Sequence, residues 1–265
     1  MNFYDYLVKL GLQEGYNVII HSSFKKILSA FPGITSNEVF TSLKKIVGLS
    51  GSIIFPAFTY CYKKSSGEYE IFNYADSKSK VGFLSEEFRK EKDTVRTLSP
   101  THSFALWGKV TSFISEFNFP ESPLGKGSVL EWLTKQENSY VLMLGTDFSS
   151  LSYGHYLEIE SKVPWYDFSP WDYLNVLPIG VSVDGIQKLK EIPGCSKNFI
   201  KFEKFLDDKK LIPKLSKDLL QSSLIKITVL YDNGIKFFKE NFESLLCSEN
   251  TCPACDQRRK KFISC

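Results

Sequence analysis

Four short apolar runs constrain the fold more than any other feature of the chain. They are YNVIIHSSF (16–24), GSIIFPAFTY (51–60), SFALWG (103–108) and YVLMLGTDF (140–148). Each is too short for a helix, yet apolar enough to be covered on both sides, which is the pattern of a strand inside a buried sheet. Helical periodicity fills the intervals. In TSNEVFTSLKKIVG (35–48) the apolar residues recur three and four apart, a Thr/Ser-type cap opens the segment, Glu38 lies in its first turn, and Gly48 closes it. KVGFLSEEFRKEK (80–92) is a second amphipathic segment, and the opening MNFYDYLVKLGLQEG carries acidic residues that fit an amphipathic helix and not a secretion signal. The alternation predicts an α/β fold with a mixed, largely parallel sheet flanked by helices.

From about Pro164 the character changes. WYDFSPWDYLNVLPIGVSVDGIQKLKEI (165–192) is aromatic and turn-rich, with a hairpin expected at Asp184 and Gly185. Helical stretches follow around 199–206 and 235–246. No low-complexity linker or internal repeat separates the halves. The expected organisation is a core over 1–163, a smaller C-terminal lobe over 164–246 packed on it, and a cysteine-rich basic tail over 247–265.

Charge and cysteine usage exclude several classes. With 33 basic and 30 acidic residues the net charge is only +3, and the basic residues are scattered, so nucleic acid is not an expected partner. The local run DQRRKK (256–261) reads as a solvated tail. No apolar run approaches the ~20 residues of a membrane span, so no membrane partner is expected and the location is expected to be cytoplasmic. Disulfides are disfavoured there. Cys61 and Cys195 stand alone, whereas Cys247, Cys252, Cys255 and Cys265 have the spacing C-x4-C-x2-C-x9-C. Four thiolates can bind zinc, although only one short CxxC is present.

All three histidines fall where an apolar run meets a loop: His21 ends VIIHSS, His102 precedes SFALWG, and His155 follows VLMLGTDFSSLSYG. In parallel α/β sheets ligands bind outside the carboxyl ends of strands, so Ser22, Ser23 and His155 can line one crevice. Singly, each histidine is equally a strand-end residue bonded to a carbonyl. In GHYLE (154–158), His155 and Glu158 lie three apart on one helix face, where a carboxylate would orient the imidazole and make it more basic. No G-x-S-x-G elbow and no H-E-x-x-H is present, and PLGKGS (123–128) lacks the full P-loop pattern.

Taken in order, GYNVIIHSSF, GSIIFPAFTY, VGFLSEEFRK, RTLSPTHSFALWG, ESPLGKGSVLEWL and VLMLGTDFSSLSYGHYLE resemble the antibiotic N-acetyltransferase family, typified by aminoglycoside 3-N-acetyltransferases, over roughly residues 8–240. The resemblance implies acyl transfer from acyl-coenzyme A, most often acetyl-CoA, to the primary amine of a sugar. It makes 1–163 the acyl-CoA-binding core and 164–246 the acceptor-binding lobe. His155 matches the family's catalytic base. Glu191, in LKEIPG, falls where the family places the carboxylate that orients it, with Glu158 and Glu203 as alternatives. The HSSF segment implies contacts to the pantetheine arm from His21, Ser22, Ser23 and Phe24. The THS segment implies Thr101, His102 and Ser103 on the opposite wall, with His102 meeting the thioester oxygen or fixing a loop, and SPLGKGS implies Ser128.

The chain has SPTHS where aminoglycoside enzymes carry H-P-E-A-S, and its charge is slightly basic, which leans the reading toward a nucleotide-linked amino sugar. Trp165, Tyr166 and Trp171 are offered as faces for a base or sugar ring. An aminoglycoside acceptor, and hence antibiotic resistance, is the alternative. Other readings are a zinc-binding non-catalytic protein on the same scaffold and a metal hydrolase using the three histidines. No metal is expected at the active site, zinc at the C-terminal cysteines being the exception; a homo-oligomer is compatible with this reading. The tail beyond Glu249 is expected to be dispensable for chemistry.

Overall fold

The computed structural model describes residues 1–263, so Cys265 lies outside the described residues. In chain order they form α1 (Phe3–Leu10), β1 (Asn17–Ser22), α2 (Phe24–Ala30), α3 (Ser36–Val47), β2 (Ser52–Pro56), β3 (Tyr62–Lys64), α4 (Phe83–Phe88), β4 (Val95–Arg96) and β5 (Phe104–Gly108). There follow α5 (Val129–Thr134), β6 (Ser139–Leu144), α6 (Ser152–Glu160), β7 (Val176–Ser182), β8 (Gly185–Lys188), α7 (Ile200–Asp208), β9 (Lys214–Lys217), β10 (Leu220–Lys226), α8 (Ile227–Glu240) and α9 (Pro253–Ile263).

The four apolar runs are β1, β2, β5 and β6, and they form the middle of a seven-stranded sheet ordered β4-β5-β2-β1-β6-β10-β9. Alternate residues feed two cores. Ile19, Ile54, Leu106, Val141 and Met143 enter one, against α5, α6, α7 and α8. Val18, Ile20, Ile53, Phe55 and Leu142 enter the other, against α1, α2, α3 and α4. Each such side chain contributes about 1.5–3 kcal/mol by leaving water, so a sheet covered on both faces dominates the stability. The expected Thr/Ser-type cap of the helix at Ser36–Val47 is Thr35, which forms a capping box with Glu38.

The sheet is mixed, as expected, but less parallel than expected. Only β1–β2 and β1–β6 pair in parallel; β2–β5, β4–β5, β6–β10 and β9–β10 are antiparallel. Apolar patterning reports that a strand is covered and says nothing about its direction. The stretch 164–246 does not pack as one lobe. Its β9 and β10 complete the main sheet, and Phe199, Phe202 and Phe238 belong to the main core. Only β7 and β8 stand apart, paired with β3 from the first half in a three-stranded sheet over Val176, Leu189 and Ile192. The hairpin turn falls at the expected place, with Gly185 at φ 130°. The last long helix begins at Ile227, ahead of the expected 235, because β10 runs into it without a turn. Strands β9 and β10 escaped sequence reading because Gln221, Ser222 and Ser223 interrupt the apolar pattern. The tail is packed: Cys255 and Arg258 are buried, and the ring of Phe262 meets Trp165 and Phe242.

Candidate active site

Helix α6 sits at the carboxyl end of β6 and is buried on every side from Ser152 to Glu158. A helix apolar or buried all round belongs in the middle of a molecule, where its polar groups need partners. Gly154 permits this position: a Cβ there would lie 2.4 Å from the ring of Phe199. Phe199 in turn meets the His155 ring edge-on at 5.1 Å.

His155 Nδ1 lies 2.7 Å from Glu158 Oε2. The Trp165 indole donates to Glu158 Oε1 at 2.9 Å, and Arg258 Nη2 donates to Oε2 at 3.2 Å. Burial alone would raise the Glu158 pKa. The Arg258 charge, His155 and the indole outweigh burial and hold the carboxyl below its usual value. An ionised carboxylate can only accept, so His155 donates from Nδ1 and keeps its lone pair on Nε2. The arrangement therefore presents an oriented proton acceptor. Arg258 was invisible in the sequence, since it stands 100 residues from its partner. Its burial, at 2% exposure, overturns the reading of DQRRKK as a solvated tail and removes the ground for calling the tail dispensable.

Two cavities meet at His155. The first, of about 330 Å³, is lined by His21 and Ser22 at the end of β1 and by hydroxyls such as Thr146, Ser149 and Ser152. The second, of about 390 Å³, is more apolar, with Tyr60, Tyr62, His102 and Trp171 in its wall. Phe58, Tyr60, His155 and Gly194 are shared by both. His21 is nearly buried, its Nε2 has no hydrogen-bond partner, and burial lowers its pKa to about 4. His102 is lowered to about 3, by burial first and then by the neighbouring His155, so it stays neutral at working pH. Its Nδ1 lies 2.9 Å from Thr101 Oγ1, and its ring packs edge-on against Phe58 and Tyr60.

The remaining expected residues have other partners, although Glu191 shares a small cleft with His155 and Glu158. Glu191 is not hydrogen-bonded to His155; it accepts from Ser122 Oγ at 2.5 Å, and burial raises it to about 7. Glu203 accepts from the Phe148 amide at 2.9 Å and so fixes the loop after β6. Of the three candidate carboxylates, Glu158 is the one on the imidazole. Thr101 is buried behind His102, with its carbonyl taken by the Thr59 and Tyr60 amides. Ser103 donates to the Ala57 carbonyl and accepts from Arg96, so it supports a buried arginine and lines neither cavity. Ser128 is buried as the N-cap of α5, with its hydroxyl on the Leu130 and Glu131 amides. Ser23 heads α2, and Phe24 stacks on Phe83 at 4.9 Å. Trp165 is buried beneath Glu158 with the Arg258 guanidinium over its ring and lines neither of the two cavities, whereas Trp171 lines the second. Among the described residues the histidines do not gather into a metal-ligand group, which leaves the hydrolase reading without its centre.

The profile of the family described as aminoglycoside 3-N-acetyltransferase matches residues 19–239. The SPbeta prophage-derived aminoglycoside N(3')-acetyltransferase-like protein YokD of Bacillus subtilis (strain 168) is 30% identical over 178 residues, covering 60% of this chain and 63% of the relative. The chain thus spans under two thirds of that relative's length. Among solved structures, the aminoglycoside acetyltransferase AAC(3)-IVa in complex with a gentamicin superposes with a TM-score of 0.80 at 21% identity, over 97% of this chain and 95% of that one. AAC-IIIb, solved as a binary complex with CoASH, gives a TM-score of 0.65 at 17% identity, over 89% and 94%. Likeness at these identities establishes the shared fold.

Proposed function

The chain belongs to the aminoglycoside 3-N-acetyltransferase family, and from that premise we propose that it moves an acetyl group from acetyl-coenzyme A to an amine of an aminoglycoside-type amino sugar. The observation that carries this reading is the His155–Glu158 pair at the junction of two cavities. One cavity takes the thioester, the other takes the amine, and the base lies between them. The hydroxyl-lined cavity suits the pantetheine arm. Neutral His21, with an unpartnered ring nitrogen, can accept an amide N–H there.

In this mechanism the bound ammonium first loses one proton to solvent. His155 Nε2 then takes a second proton as the amine attacks the thioester carbonyl. Neutral His102, with its Nδ1 accepting from Thr101, would offer Nε2–H to the developing oxyanion. Collapse of the tetrahedral adduct breaks the carbon–sulfur bond, and imidazolium returns its proton to the departing sulfur. The products are the N-acetyl sugar and free coenzyme A.

The acceptor assignment reverses the lean toward a nucleotide-linked sugar, since the matching family is described as aminoglycoside 3-N-acetyltransferase and AAC(3)-IVa is solved with a gentamicin bound. One observation favours the second reading: no Asp or Glu lines either cavity among the described residues. The test of the main reading is thiol release from acetyl-CoA in the presence of gentamicin- and kanamycin-type amines. His155→Ala should lower kcat by about 10²–10⁴ while coenzyme A binding changes only a few-fold. Near-normal turnover in a folded His155→Ala protein would remove histidine from the role of base.

A further inference from the structure

Four cysteines from three separate stretches of chain converge beside the site. Cys195 comes from the loop after β8, Cys247 follows the turn at Phe242–Leu245, and Cys252 and Cys255 bracket the first turn of α9. Their sulfur atoms all lie within 4.8 Å of one another. The Cys195 and Cys247 sulfurs are 3.7 Å apart. In a tetrahedral zinc site with Zn–S bonds of about 2.3 Å, the sulfur–sulfur edge is about 3.8 Å. A disulfide needs about 2.05 Å. Among the described residues the fourth thiol is therefore Cys195, isolated in sequence; Cys265, the fourth of the tail spacing, lies outside them.

We propose that Cys195, Cys247, Cys252 and Cys255 bind a structural zinc ion that fixes α9 and thereby sets Arg258 against Glu158. An all-sulfur set with every thiol buried or half-buried selects a soft, tetrahedral ion and leaves no open coordination position. The Lys197 amide donates to Cys195 Sγ at 3.4 Å, a contact that stabilises a thiolate. Loading the reduced site releases the four thiol protons to solvent, and the resulting zinc tetrathiolate carries two negative charges. Cations flank it: Arg258 donates to the Cys195 carbonyl at 2.8 Å, and Arg259 to the Cys247 carbonyl.

Helix α9 needs such an anchor. It has 11 residues, of which Asp256, Arg258, Arg259, Lys260 and Lys261 are charged. An isolated helix shorter than ~12–15 residues is marginal in water. Arg258 lies one turn beyond Cys255, and its two terminal nitrogens reach the Cys195 carbonyl and Glu158 Oε2. The metal would thus hold one end of a short rigid path whose other end is the carboxylate on His155. Arg258 is a positioning residue in this scheme, and its effect on turnover rests on the proposed acetyltransferase reading; the metal site itself does not.

The test uses the full chain, purified under reducing conditions without chelator or metal-affinity resin. Elemental analysis should find about one zinc per chain. Exchange for cobalt(II) should give thiolate charge-transfer and tetrahedral d–d absorption bands. Cys252→Ser/Cys255→Ser should lose the metal, and kcat should fall about 10- to 100-fold with the KM for acetyl-CoA within a few-fold. Arg258→Gln should keep the zinc and show the same kcat loss, with partial rescue by Arg258→Lys. If the double variant does not fold, wild-type metal content and the cobalt spectrum decide the matter. Metal-free protein that fails to take up zinc or cobalt when reduced, or a Cys195–Cys247 disulfide in the reduced preparation, would overturn the proposal. Zinc with the expected spectrum in a protein inactive on every acceptor would uphold the metal site and sink the acetyltransferase reading instead.

Discussion

Two glutamates beside His155 differ in what faces them. Both line the cleft that also contains Trp165 and Arg258. Glu158 has the guanidinium, the imidazole and an indole N–H, and is held ionised. Glu191 has burial as its largest influence, offset only in part by the Ser122 hydroxyl, and sits at about 7. A carboxyl raised in the folded state contributes stability below its ordinary pKa near 4.5, and that contribution is lost as the pH rises through about 7. Glu191→Gln keeps an acceptor for Ser122 without the ionisation. The variant should therefore gain stability relative to wild type between about pH 5 and pH 8, by up to about 3 kcal/mol. Denaturant unfolding at several pH values checks this; a difference independent of pH would show that Glu191 ionises as freely as an exposed carboxylate.

At the scale of the element, α6 carries the chemistry because it is buried all round, and that burial depends on Gly154. An added Cβ would press on Phe199, which has no exposed surface and rests against His155. Gly154→Ala should cost about 1–3 kcal/mol through overpacking. It should also lower kcat more than it raises the KM for acetyl-CoA, because the displaced ring moves the base and not the binding cavity. Thermal unfolding together with steady-state kinetics tests both parts. Wild-type stability and turnover would mean that Phe199 has room to move. The same helix shows what spacing can and cannot reveal. The His155–Glu158 pair follows from a spacing of three along one helical face. The Phe199 contact comes from a segment far along the chain.

For the whole molecule, what lines the cavities determines how an acceptor is held. An aminoglycoside carries several ammonium groups, and neither cavity wall offers a carboxylate among the described residues. Binding should then rely on hydrogen bonds and aromatic faces such as Tyr60 and Trp171, and depend only weakly on salt. The expected outcome is a higher kcat/KM for gentamicin-type amines than for a nucleoside-diphosphate amino sugar, with a shallow fall between low and physiological ionic strength. The reverse preference would establish the sugar-nucleotide reading. A steep salt dependence would mean that carboxylates outside the described walls hold the polycation.

The covered strands, the capped helix at Ser36–Val47, the hairpin at Gly185 and the helical pairing of His155 with Glu158 were legible in the sequence because each depends on residues within a few positions of one another. Burial pattern, capping and helix-face spacing are local physics. Strand direction, the inclusion of β9 and β10 in the main sheet, the placement of Ser103 and Ser128 away from the cavities, and the choice of Glu158 over Glu191 were not legible. Nor was the meeting of Cys195 with Cys247, or of Arg258 with Glu158. These depend on contacts between residues tens to a hundred positions apart, which no local period encodes. They are decided when the sheet closes and the tail helix packs, because a buried carboxylate, arginine or thiol is tolerated only where the whole fold brings it a partner.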